Sequence, residues 1–93
     1  MIASFRSRAL KRYWTRGDDS GLRTDWRERI RLILSRLDVA KAPAQMNSPG
    51  FGFHALKGDL TGRYAVIVSR NWRITFSWRG EDATTIDLED YHG

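Results

Sequence analysis

Cysteine is absent from this 93-residue chain, so disulfides and thiolate metal sites are excluded. There are only two prolines, both in the segment 40–51, so helices and strands elsewhere run without that interruption. No apolar run approaches the roughly 18 residues of a membrane span. The opening Met1-Ile2-Ala3-Ser4-Phe5-Arg6 turns polar too early for a signal peptide, and a soluble, cytoplasmic protein with no membrane association is expected. Histidine is nearly absent too. His54 and His92 are the only two, and no other side chain here ordinarily titrates near neutral pH.

A chain of this length is expected to form a single domain, residues 1–93, with one modest core. That core leaves no room for a bulky cofactor, and none is expected. The net charge is +5, unevenly spread. Residues 1–36 carry ten Arg or Lys against Asp18, Asp19, Asp25 and Glu28, whereas residues 79–93 sum to −4. A basic body favours polyanions, because each neutralised phosphate releases counterions. The acidic end is unusual for a passive nucleic-acid binder.

The pattern predicts two helices followed by strands. Ser4 or Ser7 caps a helix over about residues 7–16, with Leu10, Tyr13 and Trp14 on its apolar side. Gly17-Asp18-Asp19-Ser20-Gly21 stops it. Leu22, Trp26, Ile30, Ile33, Leu34 and Leu37 then fall at helical spacing in a second helix that ends near residue 39. Pro43 and Pro49-Gly50 mark a loop. Beyond it the period becomes two. Trp72, Ile74, Phe76 and Trp78 alternate with Arg73, Thr75 and Ser77, flanked by strands at Tyr64–Val68 and Ala83 to about Glu89. Residues 2–5 form a further short strand or an extended lead-in. The expected fold is α+β, two N-terminal helices packed on one face of a small antiparallel sheet.

If Trp72, Ile74 and Phe76 meet the helices, Arg73 lies on the open face, where it suits a phosphate. Metal-free RNA cleavage needs a base for the 2′-OH, an acid for the departing 5′-oxygen, and cations for the charge between them. His54, His92, a carboxylate such as Asp90, and Lys57 with Arg73 fill those roles. Tyr91 either packs as core or stacks on a base. A metal held by His54, His92 and Asp90 is the competing reading, weakened by the lack of any short-range ligand pair. Strict alternation places Asp90 on the buried side with Ile86 and Leu88, so the strand must bend or end before it. His92, 38 residues from His54, must also fold back over the open face.

Three segments, His54-Ala55-Leu56-Lys57-Gly58-Asp59, Asn71-Trp72-Arg73-Ile74-Thr75-Phe76 and Asp87-Leu88-Glu89-Asp90-Tyr91-His92, resemble the HigB toxins. These are a branch of the RelE/ParE-like toxins of bacterial type II toxin–antitoxin systems. Ile2 to Ser7, Leu34 to Ala40 and Asn47-Ser48-Pro49-Gly50 add to the resemblance, which spans nearly the whole chain. It implies a basic concave sheet face and ribosome-dependent, metal-independent cleavage of mRNA. The catalytic positions implied are His54, Asp90, Tyr91 and His92, with Lys57 and Arg73 binding RNA phosphate. The implied partners are mRNA, the ribosome and a HigA-like helix-turn-helix antitoxin encoded next to the toxin. Ile67 departs from the family, standing where relatives carry a basic residue. Two rival readings remain: a gyrase poison of the same superfamily, and a non-catalytic basic nucleic-acid-binding module. Neither needs both histidines.

Overall fold

The computed structural model describes residues 1–91. Helix α1 spans Arg8–Arg16. Ser7 opens it, its side-chain oxygen accepting from the Leu10 N–H at 3.2 Å and satisfying one of the first turn's orphan donors. Gly17 ends it in left-handed backbone (φ 72°), where its N–H reaches the Tyr13 carbonyl at 2.8 Å. The second helical stretch starts later than the apolar stripe. A 3-10 turn at Thr24–Trp26 leads into α2, Arg27–Val39. Leu22 lies before that turn because its N–H still bonds to Asp19 in the preceding loop, yet its side chain is buried with the stripe.

Among the described residues the sheet has four antiparallel strands in chain order: β1 His54–Ala55, β2 Arg63–Ile67, β3 Trp72–Arg79 and β4 Asp82–Asp90. The three expected strands are present. The pattern does not reveal β1, because two residues carry no alternation to read. The lead-in runs parallel beside β4, with bridges Ile2 to Ala83 and Phe5 to Ile86. The Ala3 and Arg6 N–H groups donate to the Ala83 and Ile86 carbonyls, each at 2.8 Å. Residues 1–6 thereby close a sheet edge that would otherwise offer unpaired backbone groups.

Both helices cover one face. Val66, Ile74, Phe76 and Ile86 are fully buried there with Leu10, Ile30, Ile33, Leu34 and Leu37. Each such side chain contributes about 1.5–3 kcal/mol through burial. A one-residue bulge in β4 adjusts the fit. The register passes from Thr75 opposite Asp87 to Ser77 opposite Thr84, and Thr85 takes a positive φ of 52°. The extra residue lets Ala83 and Ile86, three apart in sequence, both face the core. No described helix is long and apolar enough to cross a membrane.

Candidate active site

Antiparallel register decides which side chains share a face, because paired residues point the same way. His54 pairs with Ala65, Ala65 with Thr75, and Thr75 with Asp87. Beside that row lies Ile67–Arg73–Glu89, and on its other side Arg63 pairs with Ser77. All of these lie on the face away from the helices.

The middle of this face is a polar network. Arg63 donates through Nη2 to the Thr75 hydroxyl (2.8 Å) and the Thr85 carbonyl (3.1 Å), and through Nη1 to the Ser77 hydroxyl (3.0 Å). Thr75 donates in turn to the Glu89 carboxylate, which lies 4.0 Å from the same guanidinium. Thr75 is fully buried beneath these two side chains. Burial pushes the Arg63 pKa down from the ordinary arginine value and nearby Arg6 pushes the same way, while Glu89 and Asp87 oppose both. Arginine starts so far above neutrality that the group remains a cation. Arg6 and Asp87 approach to 3.9 Å at the rim.

His54 stands exposed on the edge strand. Its Nδ1 is 3.1 Å from the Gly52 carbonyl. A carbonyl only accepts, so Nδ1 carries a proton in this contact and Nε2 is left for proton exchange. Gly52 is required where it stands. It has φ 57°, and a Cβ there would lie 2.4 Å from the Ile67 Cδ1. Ile67 thus brings no charge to the face and packs instead against the residue whose carbonyl holds His54.

Tyr91 follows β4, and its N–H donates to the Asn71 carbonyl at the start of β3. Its ring meets His54 edge-on with centroids 6.3 Å apart. Strands lie about 4.8 Å apart, so β1 and β4 are separated by about 14 Å of sheet. Tyr91 therefore leans back across the open face. Arg73 lies between, its guanidinium carbon 5.6 Å from the Tyr91 ring centre. The Nη1 of Arg73 donates to the Ser69, Arg70 and Trp72 carbonyls at 3.0–3.3 Å, while its buried Nε has no partner among the described residues.

The remaining expected residues sit differently. Lys57 is exposed at the entry to a single 3-10 turn, Gly58–Leu60, a few residues beyond His54. Asp90 is exposed as the last residue of β4, in register with Trp72. Between Ile86 and Asp90 the strand neither bends nor ends, the bulge at Thr85 lying before that stretch. Alternation therefore puts Asp90 on the Trp72 side, and the β4 carboxylates on the open face are Asp87 and Glu89. His92 lies outside the described residues. Among the described residues no three His, Asp or Glu side chains gather as metal ligands.

The family model described as "RelE-like toxin of type II toxin-antitoxin system HigB" matches residues 3–92. The chain belongs to this toxin family. It is also 37% identical over 92 residues to Endoribonuclease HigB of Proteus vulgaris, covering 99% of this chain and 100% of that relative. In this HigB-like chain, Arg63 and Glu89 join Thr75 on the open face, a grouping that the sequence motifs do not name. Continuing the alternation of Arg73, Thr75 and Ser77 across the short strand links would have found Arg63 and Glu89.

Proposed function

We propose that this toxin is an endoribonuclease that cleaves mRNA on the ribosome without a metal ion. The 2′-oxygen attacks the adjacent phosphorus, the 5′-oxygen leaves, and the products are a 2′,3′-cyclic phosphate and a free 5′-hydroxyl. His54 activates the 2′-OH or holds the scissile phosphate through Nε2, and His92 protonates the leaving 5′-oxygen as general acid. Asp90, exposed at the end of β4 on the Trp72 side, orients His92 and is not placed to act as the base on the open face. Lys57 and Arg73 hold the charge that develops on phosphorus, and Tyr91 offers its ring to a base.

The observation that carries this reading is the edge-on contact of Tyr91 with His54, with Arg73 lying beside the tyrosine ring. It brings Tyr91, from a distant part of the chain, beside a histidine and a cation. The test is to map mRNA 5′ ends after expressing wild type, His54→Ala and His92→Ala, and to repeat the cleavage in vitro with and without ribosomes. Unchanged cut sites and rates in both variants would sink the catalytic assignment. A type II toxin has a protein antitoxin. For this chain it is a HigA-like helix-turn-helix protein encoded next to it, which co-purification with the product of the adjacent reading frame tests. Cytoplasmic location follows from that target.

A further inference from the structure

Helix α1 carries Arg8, Lys11, Arg12 and Arg16 within nine residues and no carboxylate. With Thr15 these four line a shallow concavity of about 360 Å³. The spacing i, i+3, i+4, i+7, i+8 puts all five on one helical face. The cations around α2 are engaged within the protein: Arg23 with Asp25, Arg27 with Asp19, Arg31 with Glu28, Arg36 with the Ser48 hydroxyl, and Arg29 with the Gly50 and Ile67 carbonyls. Among the described residues, Arg12 alone of the α1 cations approaches a carboxylate to within an ion pair, Asp18 at 4.0 Å. Arg8 and Lys11 sit in the first turn, where the helix dipole repels cations and no acidic residue offsets them. Arg8, Arg12 and Arg16 also repel one another at i, i+4. The stripe therefore works against its own helix, and the single long ion pair to Asp18 relieves only one end of it.

We infer that this face docks the phosphodiester backbone of a structured RNA, separately from the strand that enters the open sheet face. The inference rests on the proposed function only in taking RNA as the polyanion. Guanidinium forks match phosphate oxygens two at a time. The lining holds no aromatic or aliphatic side chain of the kind that anchors a protein partner. An acidic segment of the antitoxin is thus the less suited occupant.

The test is binding of a short fluorescent RNA duplex by anisotropy across a salt series, a measurement that needs no cleavage. It can therefore be read even if the proposed catalysis proves wrong. The pair Arg8→Gln/Arg12→Gln is expected to weaken binding about tenfold and to flatten the salt dependence of log K by about 1.8, given roughly 0.9 for each phosphate no longer neutralised. Arg23→Gln/Arg31→Gln removes the same charge and is expected to change affinity less than twofold. Arg8→Lys/Arg12→Lys should keep the slope, and it carries the test if the glutamine pair fails to fold. Equal weakening by the two glutamine pairs would overturn the inference, since net charge alone would then explain the binding. So would unchanged duplex binding with lost affinity for the antitoxin, which would assign the face to an acidic protein.

Discussion

On the helix-covered face of β3, Ile74 and Phe76 are fully buried, and Phe76 stacks on Tyr64 at 5.7 Å and meets the Trp78 edge at 6.1 Å. On the opposite face of the same strand, Arg73 and Thr75 are held by hydrogen bonds to carbonyls, Arg63 and Glu89. The first face is stabilised by area removed from water, which tolerates modest changes of shape. The second depends on polar groups that lose their partners if one member is removed. A sheet packed on one side only can thus separate what keeps it folded from what it presents to a substrate. Mutations on the two faces should consequently fail in different assays.

The largest effect is expected from His54→Ala, a loss of about 10²–10⁴ in cleavage rate at an unchanged melting temperature, because the ring is exposed. Cleavage assays run beside thermal melts check both halves, and a matching loss of stability would place His54 among the folding residues. Phe76→Ala should reverse the pattern, costing about 3–5 kcal/mol in denaturant unfolding while the folded fraction still cleaves. If it instead abolished cleavage without destabilising the domain, the division between the faces would be wrong. Arg63→Met sharpens the comparison from the polar side. It removes the donor to the Thr75 and Ser77 hydroxyls and the Thr85 carbonyl and leaves Glu89 without its cation, and a destabilisation of about 1–3 kcal/mol is expected together with weaker RNA binding. Glu89→Gln should spare stability more, since an amide oxygen can still accept from Thr75. Ser7→Ala removes only the α1 cap and should cost about 1 kcal/mol with no change in cleavage.

The smallest effect concerns pH. Hydrogen bonds from Ser20, Arg23 and Arg31 lower the pKa values of Asp18, Asp25 and Glu28 respectively. A lowered folded-state pKa gives stability that is present above the unfolded value and is lost as pH falls through the folded one. Melting temperature should therefore drop slightly on the acid side, and less so in Glu28→Gln. A loss of that contribution on the alkaline side would contradict the sign.

Much of the fold was legible because burial imposes a period. Ile30, Ile33, Leu34 and Leu37 read as one helical face, and Ile74 with Phe76 as one strand face, and all are fully buried. Ser4 or Ser7 and Gly17 read as the ends of α1 for equally local reasons, and Ser7 is the cap that forms. The strand β1 was not legible, since two residues are held by pairing with β2 and not by any pattern of their own. Nor was the bulge at Thr85, which arises because helix packing requires both Ala83 and Ile86 inside. In the candidate site, His54, Tyr91 and Arg73 were named from residue type and resemblance, but their proximity was not readable.

The terminal Asp90-Tyr91 shows where that boundary falls. By itself the sequence determined the buried faces of two helices and of three strands, because hydrophobic periodicity and end-capping act over a few residues. Only the tertiary structure decided that Tyr91 crosses the sheet to His54, and that Glu89, not Asp90, faces Arg63. Those outcomes depend on strand order, register and a single inserted residue, and a one-residue change in register exchanges the two faces of a strand.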